Sequence, residues 1–112
     1  MADWKKMIEY SGGTLGALGQ GNPGIMEALG TLGAASECKK ALDAKTRELI
    51  SLAVAATTRC EGCIAIHAAE AVKAGATRDE LLETLAVAVS LNAGAAAVYS
   101  ARILEAYDQF SK

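Results

Sequence analysis

Signals that begin and end α-helices recur along this chain, and no segment shows the alternating pattern of a β-strand. Asn22-Pro23 predicts a helix start, because Asn22 can cap the first turn and Pro23 stands where its missing N–H is not needed. Thr77 and Glu80 have the spacing of a capping box, and Gly75 before them predicts the end of another helix. The chain is therefore predicted to be all-α.

Apolar spacing and these boundary signals predict about six helices in an antiparallel bundle, since short loops make consecutive helices antiparallel neighbours. The expected helices cover residues 3–10, 23–36, 44–58, 60–74, 78–91 and 95–110, with breaks at Ser11-Gly12-Gly13 and Asn92-Ala93-Gly94. A length of 112 residues suits one domain spanning 1–112.

Charge and hydropathy exclude several classes of partner. The net charge is −2 and the basic residues are scattered, so neither nucleic acid nor an anionic membrane is an expected partner. Residues 1–10 lack the basic and apolar segments of a secretory signal. The uncharged stretch 85–101 is shorter than the roughly 20 residues of a membrane span, and it contains Asn92 and Gly94. We expect a cytoplasmic protein.

Two predicted helices are apolar over most of their circumference, in the segments 49–56 and 85–101. A chain of this size cannot cover both surfaces by itself. The sequence therefore predicts a homo-oligomer, dimeric or larger, with part of this surface at the subunit contact.

The stretch RCEGCIAIH carries the residues best suited to chemistry. On one helix, Cys60, Cys63 and His67 lie within an arc of about 60°. Cys60 stands at the helix start, where free N–H groups and the positive dipole end stabilise a thiolate and lower a thiol pKa from about 8.5 toward neutrality. Two thiols, an activating helix terminus and an imidazole are the parts of a dithiol–disulfide catalyst.

Glu48 is expected to join this cluster. It lies on the preceding helix, and a hairpin turning near residue 59 places it about 15 Å back along one axis, with His67 about 10 Å along the other. A carboxylate in a largely apolar helix needs a partner, and His67 is the single histidine of the chain. The predicted network runs from Glu48 to His67 to Cys63, with Cys60 nearer the solvent.

Alternatives remain open at this stage. The two cysteines are also compatible with buried thiols that act as small hydrophobic residues. A non-catalytic oligomeric module could use Cys60, Cys63 and His67, with Glu48, as metal ligands or bind a partner there. His67 could be a core side chain, and Glu48 could pair on the surface with one of its basic neighbours.

The surface pairing of Glu48 and the role of Cys38 also have alternative interpretations. The basic neighbours of Glu48 are Lys45 and Arg47. Cys38 lies outside the motif and is predicted to be a small buried or loop residue rather than a third redox thiol.

The spacing E-x11-C-x-x-C-x-x-x-H, followed by AEAVKAGATRDEL at residues 69–81, resembles the carboxymuconolactone decarboxylase superfamily and, within it, the alkyl hydroperoxidase D-like branch. The resemblance covers about residues 42–105. It implies an all-α antiparallel bundle that associates into trimers or hexamers. True lactone decarboxylases of the superfamily lack the cysteine pair, so decarboxylation is not expected.

The resemblance also implies roles for the site residues. Cys63 would attack a peroxide and become a sulfenic acid, and Cys60 would resolve it as a disulfide. His67 would shuttle the proton, and Glu48 would hold and tune His67. The same pair could instead reduce protein or small-molecule disulfides. No bound cofactor is expected, so electrons would come from a thioredoxin-like or lipoyl-bearing protein.

The chain departs from the family pattern at Gly62, where well-studied members carry a second histidine. The resemblance therefore implies a less efficient proton relay in this protein.

Overall fold

The computed structural model describes residues 2–112, which form five α-helices. These are α1 Trp4–Gly21, α2 Pro23–Ala35, α3 Ala44–Thr58, α4 Glu61–Lys73 and α5 Arg78–Phe110. Within this described range no residue is in a β-strand, and the predicted all-α class is confirmed.

The predicted boundaries of the central helices are confirmed because their capping contacts form. The side chain of Asp43 accepts a hydrogen bond from Thr46 N at 2.8 Å at the start of α3. The capping box of Thr77 and Glu80 is complete at the start of α5. Gly75 follows α4 with φ +84°, a conformation that favours glycine.

The prediction that the first helix ends at Gly12-Gly13 is wrong, because α1 continues to Gly21. A Cβ at Gly19 would lie 2.8 Å from Cγ of Met26, so α1 and α2 approach each other more closely than a larger residue allows. At that position glycine permits close helix packing rather than ending the helix.

Helix α5 changes direction at Ala93, within the predicted break. Ala93 has φ 46° and ψ −129°, so the helix consists of two arms that correspond to the fifth and sixth predicted helices. Among residues 2–112, α5 alone has the length and composition of a membrane-crossing helix. Leu81 and Leu85 in the N-terminal segment of α5 and Ile103 in its C-terminal segment are part of the buried core, whereas 22% of its most apolar 18-residue stretch is buried.

Helices α3, α4 and α5 form the packed unit of the molecule, and the first turns of α1 complete it. The largest fully buried side chains are Trp4, Leu52, Ile64, Leu81 and Ile103. The start of α4 lies between α3, α1 and α5, and this arrangement positions the two cysteines.

Residues 12–35 form a hairpin, here called the α1–α2 arm, that extends from the packed unit. Within residues 2–112, α2 contacts α1 but no other helix, and none of its residues is buried. Its large apolar side chains Ile25, Met26, Leu29 and Leu32 are 37% to 67% exposed. The arm is therefore an apolar surface that its own chain leaves uncovered.

Candidate active site

The two cysteines of the motif are joined by a disulfide at the start of α4, with their Cα atoms 5.2 Å apart. Cys60 is the N-cap residue, and its sulfur accepts a hydrogen bond from the backbone N–H of Cys63 at 3.2 Å. The Cys60 sulfur thus takes the place of a capping oxygen. After reduction, a thiolate at this position would be stabilised by the same N–H group and by the helix dipole.

The predicted contact between Glu48 and His67 is present. Arg59 closes α3 in the left-handed conformation, with φ 59° and ψ 42°, and directs α4 back along α3. Oε2 of Glu48 then lies 2.7 Å from Nδ1 of His67. Because Glu48 engages Nδ1, the other ring nitrogen, Nε2, is the one placed to exchange a proton with a substrate.

The surface alternative for Glu48 is not the arrangement found. Lys45 instead bonds Glu80 at 2.8 Å, and Arg47 lies 3.8 Å from Glu37. The Glu48 side chain is 21% exposed and that of His67 is 34% exposed, so the pair is partly shielded from water.

Cys63 and His67 line the same open groove between α3 and α4, together with Ile50, Ser51 and Val54. Cys63 also packs against the hydrophobic core. Cys60 lies at the helix cap and does not line the groove. A small substrate in this groove would therefore meet Cys63 and the imidazole together.

Gly62, the position that departs from the family pattern, is covered by α1. A Cβ at this residue would lie 3.1 Å from Oγ and 3.6 Å from Cβ of Ser11. The close approach of α1 leaves little room at this position, and a histidine here would require the Ser11 side chain to shift.

The comparisons with known proteins agree with this fold. The model of the carboxymuconolactone decarboxylase family matches residues 23–106. This chain belongs to that family. Its members also provide a close structural counterpart, since a carboxymuconolactone decarboxylase family protein from Legionella pneumophila, crystallised in its apo form, superposes with a TM-score of 0.90 at 38% identity and 97% coverage of both chains.

Two curated relatives of this family member are uncharacterized proteins. One, from Haemophilus influenzae, is 55% identical over 105 residues, covering 94% of this chain and 93% of that protein. The other, from Cupriavidus necator, is 32% identical over 106 residues, covering 95% and 94%. The family match and the Legionella pneumophila structure confirm the predicted carboxymuconolactone decarboxylase superfamily.

Two further expectations concern Cys38 and metal binding. Cys38 is exposed in the connection between α2 and α3, so its interpretation as a loop residue is confirmed. In the part of the chain from Ala2 to Lys112, no three His, Cys, Asp or Glu side chains are arranged as a metal-binding group.

One charged cluster beside the cysteines was missed from the sequence. Arg102 Nη2 lies 2.6 Å from Oε1 of Glu61, and the guanidinium stacks 5.1 Å from the ring centroid of Trp4. These residues come from three helices, so no local spacing reveals them. The sequence offered one weak signal for this cluster. Arg102 follows Tyr99 by three residues, so both lie on one face of α5, the helix that packs against the start of α4.

Proposed function

We propose that this protein is a thiol-dependent oxidoreductase of the alkyl hydroperoxidase D-like branch, which reduces peroxides through Cys60 and Cys63. The observation that carries the proposal is the placement of the disulfide at the start of α4, with Cys63 and the Glu48-bound His67 in one groove. Nucleophile, resolving thiol and proton carrier then lie within the first two turns of α4.

The proposed reaction balances in two steps. The Cys63 thiolate attacks the outer oxygen of a hydroperoxide, the O–O bond breaks, and a proton held on His67 goes to the departing alkoxide, which leaves as an alcohol. The Cys63 sulfenic acid then reacts with the Cys60 thiol, forming the disulfide and releasing water. Glu48 keeps His67 oriented toward the groove throughout.

Recycling requires two electrons from a dithiol donor. A donor thiolate attacks the Cys60–Cys63 bond, and the resulting mixed disulfide is resolved by the second donor thiol. A thioredoxin-like or lipoyl-bearing protein has the required chemistry. The reverse direction of this exchange would let the reduced pair act on protein or small-molecule disulfides. Such a cycle suits a reducing cytoplasm and needs no bound cofactor.

The exposed area supports an assembly of several copies, as a dimer, trimer or hexamer. The chain exposes 6877 Å². A compact monomer of its mass exposes roughly 5,800 Å². The difference, about 1,100 Å², is comparable to the roughly 800 Å² per partner in a stable interface. The α1–α2 arm supplies apolar area for such contacts. So does the surface of Ile50, Val54, Val87 and Leu91, of which Ile50 and Val54 also line the groove.

Steady-state reduction of several peroxides and disulfides, with thioredoxin-type and dihydrolipoyl-type donors in parallel, tests the proposal. Cys63→Ser should abolish turnover, because it removes the attacking sulfur. Cys60→Ser should leave a sulfenic acid that a dimedone probe traps. Cys38→Ser is the matched control and should keep the wild-type rate. Full turnover by Cys63→Ser would contradict the assignment of roles.

A further inference from the structure

Beside the disulfide, Glu61 and Arg102 place two opposite charges against the first turn of α4. Glu61 is the first residue of this helix, directly after Cys60, and its carboxylate lies 2.6 Å from the guanidinium of Arg102. The two side chains are 36% and 34% exposed. Neither charge is therefore fully screened by water. Glu61 adjoins Cys60 in the chain, and Arg102 reaches the start of α4 through its contact with Glu61.

Arg102 is held in place by aromatic rings. Its guanidinium carbon lies 5.1 Å from the ring centroid of Trp4 and 5.9 Å from that of Tyr99. Trp4 is fully buried, and its indole N–H donates to Glu105 at 2.8 Å. The Nε of Arg102 is buried without a hydrogen-bond partner. An unsatisfied buried N–H opposes folding, so a contribution to stability does not by itself account for this arrangement.

The two charges act on the thiols with opposite signs. Glu61 alone would disfavour a thiolate at Cys60 or Cys63, because like charges repel, and would work against the helix terminus. Arg102 offsets this repulsion. We propose that Arg102 is a positioning residue that neutralises Glu61 and so keeps the reduced cysteine pair in its reactive, thiolate-rich form. This inference rests on the redox function proposed above.

The other charges around the cysteines do not perform this role. Arg59 precedes Cys60 but is exposed at the end of α3. His67 and Glu48 bond each other on the groove side. From α1, the residue against Gly62 is the uncharged Ser11. Arg102 is thus the cation that a third helix, α5, brings to the start of α4.

The test measures the pH dependence of thiolate absorbance in the reduced full-length protein and its redox equilibrium with glutathione. In that equilibrium the dithiol gives two electrons to glutathione disulfide, which leaves as two glutathione thiols. At pH values below the titration midpoint, Arg102→Gln should lower the thiolate fraction by about threefold to tenfold. It should shift the equilibrium with glutathione toward the protein disulfide by a similar factor. Glu61→Gln should shift both quantities in the opposite direction.

Four further variants separate electrostatics from structure. The double variant Arg102→Gln/Glu61→Gln and the charge-conserving Arg102→Lys should both return close to wild type. Lys45→Gln and Glu80→Gln are the controls. Each removes one charge from the Lys45–Glu80 ion pair, whose side chains are 36% and 37% exposed and so match Glu61 and Arg102. That pair lies near the far end of α3, about 20 Å away along its axis, and its removal should leave the thiols unchanged.

Shifts of the same sign in Arg102→Gln and Glu61→Gln, or shifts no larger than those of the Lys45 and Glu80 controls, would overturn the inference. If Arg102→Gln does not fold, the predicted rise in thiolate fraction for Glu61→Gln decides it alone. These measurements need neither peroxide nor donor protein. Opposite shifts in a protein without peroxidase or disulfide reductase activity would contradict the proposed function and leave this inference intact.

Discussion

The packed unit and the α1–α2 arm use apolar residues in opposite ways. In α3 to α5, Leu52, Ile64 and Leu81 are fully buried within one chain, whereas Leu29 and Leu32 in α2 remain 49% and 67% exposed. The packed unit carries Glu48 and the cysteines, and the Glu48–His67 contact and the disulfide both form within one chain. This difference is the basis of our proposal that the arm contacts another copy of the chain while the packed unit carries the chemistry.

The largest predicted effect is the difference in unfolding free energy between a leucine-to-alanine substitution in the packed unit and the same substitution in the arm. Leu52→Ala deletes a fully buried side chain and should lower the free energy of unfolding by about 2–5 kcal/mol. Leu32→Ala should change the unfolding of the isolated subunit by less than about 0.5 kcal/mol. Denaturant titrations at several protein concentrations distinguish the two. Equal, concentration-independent losses would contradict the contrast between the regions.

The second prediction concerns assembly. Leu29→Asp places a carboxylate on the apolar face of the arm and should raise the subunit dissociation constant by about 10²-fold or more, with helicity retained. Glu27→Gln, on the same helix, is the control and should leave assembly unchanged. Analytical ultracentrifugation measures both. A wild-type protein sedimenting as an 11.5 kDa monomer would contradict the proposed role of the arm.

A smaller effect on stability is expected at Gly62, where the packed unit meets α1. Gly62→His should destabilise the protein by about 1–3 kcal/mol, because the new side chain displaces Ser11. Adding Ser11→Gly should recover part of this loss and, by admitting a second imidazole, raise the peroxidase rate above wild type. Thermal unfolding and turnover of the single and double variants check this. A rate unchanged in the double variant would show that proton relay does not limit turnover.

Much of the packed unit could be predicted because its information is local. Asp43 and Thr77 mark helix starts by their own side-chain hydrogen bonds, and the register of α3 against α4 fixes the Glu48–His67 contact. The α1 half of the arm could not be predicted in this way, although Pro23 did mark the start of α2. Gly12 and Gly13 have the composition of a helix end, yet α1 continues through them to pack closely against α2 at Gly19. Arg102 was missed because only tertiary packing brings it to Glu61.

The smallest effect concerns the kink of α5. Ala93 has φ 46° and ψ −129°, a conformation that is strained for any residue with a Cβ. Ala93→Gly should therefore raise the free energy of unfolding by about 1 kcal/mol, measured by chemical denaturation. The control is Ala97→Gly, at an exposed position in α5 after the kink. This substitution should lower the free energy of unfolding by about 1 kcal/mol. Destabilisation by Ala93→Gly would show that the kink carries no strain.

The most direct test of the central claim is a count of free thiols in the reduced protein before and after one equivalent of peroxide, under anaerobic conditions. We predict that Cys60 and Cys63 lose their thiols together, that Cys38 keeps its own, and that dithiothreitol restores the pair. Loss of a single thiol, no loss at all, or one tightly held metal ion per chain that protects both cysteines would contradict the account.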